Sequence, residues 1–170
     1  MAYTDEELNL LAYVPQLIGS AVSSAAGSGL IGLGKEFFAT ASSVMEGTKT
    51  FPDNALIRQL VPDPRTDRAK AIEQAKKMRD WAVARIKARG IDSAEKLNAL
   101  MLEDTKAAAN ILIAKASPVE AREYRQWAVS VAEKVANAST EGDFLGFGGE
   151  RVSAAEKAVI DKVNAALGTA

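Results

Sequence analysis

The stretch that decides the fold is SAEKLNALMLEDTKAAANILIAK, residues 93–115. Its apolar side chains recur every three or four positions, at Leu97, Leu100, Met101, Ala108, Ile111 and Leu112. This spacing matches the period of an α-helix with one buried face. Asp92 or Ser93 supplies an oxygen that caps the first turn. The stretch is therefore predicted to be an amphipathic helix that packs against other helices.

Three further segments of the chain show the same period. A helix is predicted from Asp67 to Arg89 and ended by Gly90, because glycine accepts the left-handed conformation that closes many helices. Another is predicted to begin at Pro118. The last is predicted to begin at the Ser153–Glu156 pair, whose spacing is that of a capping box. No run alternates with period two for long enough to indicate a sheet.

The N-terminal part of the chain is apolar and rich in small residues. Thr4 and Glu7 form a second capping box, and residues 8–34 carry no charge. A second helix is predicted over residues 30–46, with Gly47 as its stop. The segment 48–67 contains three prolines and room for a short helix at residues 54–60 started by Asp53.

These elements predict an all-α, single-domain, antiparallel helical bundle of six to seven helices. Residues 1–47 are expected to form an apolar N-terminal helical pair, and residues 48–67 a proline-containing strap. Residues 68–170 are expected to form a four-helix core.

The composition excludes several chemistries. The chain contains no His and no Cys, so it offers neither an imidazole base for a Ser-His-Asp or Cys-His site nor the usual ligands of zinc and haem. Lys and Arg total 21 and Asp and Glu total 22, a net charge of −1. Bulk charge therefore does not favour a nucleic-acid partner. We expect no cofactor.

The location is predicted from the same features. The acidic start of the chain lacks the basic residues of a secretion signal, and the absence of cysteine fits a reducing compartment. Residues 8–34 are long enough to span a bilayer, but they include Pro15, Gln16 and many Ser and Gly residues. A cytoplasmic protein with a buried apolar helix is favoured over a membrane protein.

Two glycine-rich segments are candidate ligand loops. Residues 29–35 have the Gly-x-x-x-x-Gly-Lys spacing of a phosphate-binding loop, but Glu36 occupies the position of the Mg²⁺-binding Ser or Thr, and no strand precedes it. We expect no phosphate site there, and interpret Gly19, Ser23 and Gly27 as positions of close helix packing. In residues 141–150, Glu141, Asp143 and Glu150 could hold a hard cation.

Asp104 is the most informative single residue. Helical periodicity places it in the middle of the apolar face of residues 93–115, where a carboxylate needs a partner. Arg79 and Arg125 are the predicted partners, because they occupy equivalent positions of a weak repeat, RDWAVA at 79–84 and RQWAVS at 125–130. The alternative is that Asp104 is a metal ligand or a catalytic acid.

The sequence favours a non-enzymatic helical protein that acts through a protein partner or by self-association. The first alternative is a divalent-metal protein or metal-dependent enzyme built on Asp104 or the 141–150 loop. The second is a membrane-active hairpin formed by residues 8–45.

Overall fold

The computed structural model describes residues 2–25, 40–61, 63, 65, 68–140 and 152–169. These residues contain seven helices and a further helical stretch at residues 40–45. The helices are α1 (Asp5–Ser23), α2 (Gly47–Thr50), α3 (Ala55–Leu60), α4 (Arg68–Ala88), α5 (Ala94–Lys115), α6 (Pro118–Thr140) and α7 (Ala154–Leu167). No strand occurs in this part of the chain, which confirms an all-α helical bundle.

The centre of the molecule is α1. Thirteen of its nineteen residues are buried, including the polar Gln16, and it packs against α3, α4, α5, α6 and α7. The hydroxyl of Tyr124 on α6 donates to the carbonyl of Leu11 at 2.7 Å. Residues 10–19 and 21–23 of the charge-free segment are buried, which explains why this part of the chain carries no charge. Among the described residues, no helix has both the length and the apolar character to cross a membrane.

The predicted capping boxes are present. Thr4 Oγ1 accepts from the Glu7 amide, and the Glu7 carboxylate accepts from the Thr4 amide at 2.7 Å. Ser153 and Glu156 make the same reciprocal pair at the start of α7. Ser93 caps α5, and Gly90 adopts a φ of +58° just beyond α4. These helix ends could be predicted from the sequence because each depends on residues only a few positions apart.

One predicted boundary near the strap is wrong. The cap of α3 is Asn54, not Asp53: its side chain accepts from the Ile57 amide at 2.9 Å and donates to Glu123 on α6. The helical stretch 40–45 ends just before Gly47, as predicted, but Gly47 also begins a further short helix, α2. A Cβ there would lie 2.4 Å from the indole nitrogen of Trp127, so glycine is required by close packing and not by its conformation.

A second close approach involves Gly19 on α1. A Cβ at this position would lie 2.4 Å from Cγ2 of the buried Thr40. Gly19 therefore lets the helical stretch 40–45 lie against α1, as the spacing of small residues predicted. Gly27, and residues 30–39 of the predicted second helix, lie outside the described residues.

The helix α4 lies at the edge of the bundle. Within the described residues its one buried side chain is Ala82, and its main neighbour is α1. We expected α4 to be one of four core helices, because its Ala-rich stripe has the period of a core face. The small side chains of that stripe bury little apolar surface, and the centre of the bundle is occupied by α1 instead.

Candidate functional site

Asp104 is fully buried in the middle of the inner face of α5, as predicted. Its two carboxylate oxygens accept a pair of hydrogen bonds from Arg85 on α4, with Nε–Oδ2 at 2.8 Å and Nη2–Oδ1 at 2.5 Å. The Arg85 side chain is 23% exposed. The bond to Asp104 is the main reason that the pKa of Arg85 is raised. One guanidinium therefore engages both oxygens of this carboxylate.

The predicted partners of Asp104 are wrong. Arg79 is exposed and pairs with Asp80 at 2.9 Å, and the Nε of Arg125 is buried without a hydrogen-bond partner among the described residues. Arg79 and Arg85 lie about 60° to either side of Ala82 on the helical wheel. Periodicity cannot tell which of these two sides faces α5, and the assembled fold selects Arg85.

Aromatic rings extend this contact to α1. Trp81 on α4 lies between Arg85, whose Cζ is 5.4 Å from the indole centroid, and Tyr13, whose ring meets it edge-on at 5.4 Å. The Trp81 indole nitrogen donates to Glu6 at 3.0 Å. Burial raises the pKa of the Tyr13 hydroxyl, and the charge of Asp104 adds to this.

A second ion pair connects the end of α4 to α5: Arg89, which directly follows α4, lies 2.6 Å from Glu103 on α5. We call these contacts the α4 clamp; its residues are Trp81, Arg85 and Arg89 with Tyr13, Asp104 and Glu103. The clamp fixes the C-terminal half of α4 and the residue that follows it to α1 and α5.

The predicted metal site is not assembled in the described part of the chain. Glu141, Asp143 and Glu150 lie outside it, as do the glycine-rich residues 29–36. Asp104 has its oxygens occupied by Arg85. No group of three or more Asp or Glu side chains that could hold a metal occurs among the described residues.

A candidate binding groove lies at the N-terminal end of α4. A groove of about 980 Å³ runs between α1, the stretch 40–45, the end of α3 and the N-terminal half of α4. This is the upper end of the usual volume range of binding pockets, about 300–1,000 Å³. Its apolar lining includes Leu8, Ala12, Val44, Leu60, Ala71 and Met78.

Two polar contacts hold the walls of the groove. Gln16 Nε2 on α1 lies 3.1 Å from Sδ of Met78, and Gln74 Nε2 donates to the carbonyl of Gln59 at 3.1 Å. Met45 and Ile72, which also line the groove, are 44% and 59% exposed. The groove is therefore open to solvent along an apolar rim.

The sequence did not predict this groove, because it lies between four described elements that come from separate parts of the chain. The one indication of an exposed apolar surface in the sequence was in α4. Ile72 falls off the Ala71–Ala75–Met78 stripe, so an amphipathic helix with one buried face leaves it in water.

The chain matches no known protein family, no curated protein and no solved structure.

Proposed function

We propose that this chain is a non-enzymatic protein that acts by binding a protein partner, and that the groove beside α4 is the binding surface. The observation that carries the proposal is the apolar groove with Met45 and Ile72 exposed at its rim. Large apolar side chains grouped around one concave surface are typical of interaction sites, whereas scattered ones are common on any protein.

The architecture of α4 supports the same proposal. The clamp fixes its C-terminal half, and the Gln16–Met78 and Gln74–Gln59 contacts hold its N-terminal half as a wall of the groove. A wall held in this way keeps a groove open without a core behind it, which lowers the cost of ordering the site on binding.

We extend the proposal to a cytoplasmic location. The support is compositional: the chain contains no cysteine and so needs no oxidising compartment to fold.

The test is photocrosslinking in cells from a residue in the groove. A photoreactive amino acid replaces Ile72, and in a second variant it replaces Ile113. Ile113 is the matched control, because it is 72% exposed and apolar but does not line the groove. We expect a discrete adduct of defined mass from position 72 and none from position 113.

The outcomes separate the possible partners. An adduct between two copies of the chain assigns the groove to self-association, and an adduct with a different protein identifies the partner. Equal crosslinking from both positions, or none from position 72, would show that the groove is not a binding surface.

A further inference from the structure

We infer that the occupant of the groove is an acidic amphipathic helix of a partner protein, which places apolar side chains in the groove and carboxylates against its basic residues. This inference rests on the function proposed above and adds the chemistry of the partner. Helices that bind in grooves use anchors at positions i, i+3, i+4 and i+7.

The charge of the groove is one-sided. Its lining contains Arg58, Lys76 and Arg79, and no Asp or Glu among the described residues. Arg79 donates to Asp80 on its own helix. Arg58 and Lys76 form no ion pair in the described part of the chain, and they belong to different helices, α3 and α4. An occupant between these helices therefore meets positive charge from two elements that has no ion-pair partner among the described residues.

This asymmetry is local. The whole chain carries 21 basic and 22 acidic residues, whereas the sequence of α4 carries seven basic residues (Arg68, Lys70, Lys76, Lys77, Arg79, Arg85 and Lys87) and two acidic ones (Glu73 and Asp80). Positive charge concentrated beside an apolar surface selects an anionic partner and speeds its association.

The shape of the groove favours a helix over a small enclosed ligand. Residues 71–79 of α4 form one wall, which is about 12 Å long at the helical rise of about 1.5 Å per residue. Anchors at i and i+7 of a bound helix are about 10 Å apart, so they match this length. A ligand confined within the cavity would leave Met45 and Ile72 in water, whereas a helix laid along the opening covers both.

The methionines suit such a partner. Met45 and Met78 both line the groove, and the unbranched, polarisable side chain of methionine adapts to apolar surfaces of different shape. The apolar contacts then supply affinity, and the basic residues supply the choice between helices of different charge.

The experiment uses the full-length chain and three synthetic helical peptides. The peptides share one leucine face and carry Glu, Gln or Lys on the flanking positions. Binding is measured by fluorescence anisotropy at low and high salt. We expect the Glu peptide to bind about tenfold more tightly than the Lys peptide, with the Gln peptide between them, and salt to reduce this difference.

Two matched variants place the effect in the groove. Lys76→Glu introduces a negative charge into the lining, and we expect it to abolish the preference for the Glu peptide. Lys87→Glu makes the same change at an exposed position of the same helix outside the lining, and we expect it to alter the preference less than twofold. Circular dichroism of both variants checks that α4 remains folded.

Several results would overturn the inference. Equal binding of all three peptides, or none, would show that charge does not select the occupant, while the crosslink from position 72 tests the proposed function independently. Binding of laurate blocked by Ile72→Lys, without binding of any peptide, would assign the groove to a small amphiphile. A dimer dissociated by Ile72→Lys would assign it to a second copy of the chain.

Discussion

Asp104 illustrates how one buried residue fixes α4 to the core. Its carboxylate is removed from water and is held by the Arg85 guanidinium, which is itself in contact with Trp81. Removing the carboxylate strands a positive charge that is only partly exposed, and the cost of stranding a buried partner exceeds the value of an exposed ion pair. Asp104 therefore holds α4 against α5 through its ion pair with Arg85.

We expect Asp104→Ala to lower the free energy of unfolding by about 3 kcal/mol, near the lower end for a broken buried pair because Arg85 keeps some access to water. Asp104→Asn should cost less, since its amide oxygen still accepts a hydrogen bond. The matched control is Glu103→Ala, which removes the neighbouring exposed pair and should cost less than about 1 kcal/mol. Urea denaturation measures all three. Equal losses of unfolding free energy for Asp104→Ala and Glu103→Ala would contradict this structural role of Asp104.

Gly47 packs so closely against Trp127 that a side chain at this position cannot be accommodated without a shift. The first atom of any side chain would lie 2.4 Å from the indole nitrogen of Trp127, which donates to the Val44 carbonyl at 3.0 Å. We expect Gly47→Ala to destabilise the fold by about 1–3 kcal/mol, the usual cost of overpacking, although alanine favours helices. Lys49→Ala, in the same short helix but exposed, is the control. Thermal melts that rank the two in the opposite order would refute this account.

At the scale of elements, Glu7 connects the start of α1 to the end of α5. Its carboxylate accepts from Lys115 at 2.6 Å and from the Thr4 amide, and these contacts, led by Lys115, lower its pKa. A lowered pKa in the folded state gives stability that is present above the unfolded value of 4.5. That stability is lost as the pH falls through the folded-state pKa.

We therefore expect Glu7→Gln to lower the melting temperature at pH 7 and to flatten its decline below pH 4.5. Glu95→Gln, in the first turn of α5, is the comparison because Glu95 makes no ion pair among the described residues. Melting temperatures across this pH range provide the measurement. A Glu7→Gln curve parallel to that of the unaltered chain would exclude Glu7 as a source of the acid dependence.

The two halves of α4 should differ in local stability. Residues 80–89 contain the clamp contacts of α4 and the residue after it, whereas residues 71–79 form a groove wall with no buried side chain. We expect backbone amides of residues 72–79 to exchange with deuterium faster than those of residues 80–88, because local opening follows the density of buried contacts. Asp104→Asn should reduce this difference in exchange rate between the two halves of α4. Uniform exchange along α4 would show that the clamp does not anchor it.

At the scale of the whole molecule, the sequence predicts helices better than it predicts their neighbours. The Thr4–Glu7 and Ser153–Glu156 boxes and the burial of Asp104 follow from local spacing, and the structure confirms them. Helical period alone does not distinguish the central α1 from the marginal α4; their compositions do, because α1 carries no charge after Glu7 whereas α4 carries seven basic and two acidic residues. Which helix occupies the centre depends on the total apolar surface that each one buries.

The candidate site was less predictable for the same reason. The side of α4 that meets Asp104 is one of two equivalent choices about Ala82, and the groove depends on how four of the described elements lie against one another. Neither is encoded in a short motif. The metal ligands Glu141, Asp143 and Glu150 remain a prediction, because they lie outside the described residues.

The central helix α1 also comes before every helix that covers it. During synthesis it leaves the ribosome as an apolar segment that carries no charge after Glu7, and α5, α6 and α7 are made only later. Contacts between distant segments form slowly, and exposed apolar surface is prone to aggregate in the meantime. We expect a chain truncated after Gly90 to pellet on expression while the full chain remains in the supernatant. The nascent chain is therefore expected to depend on chaperones most in the interval before α5, α6 and α7 have been translated.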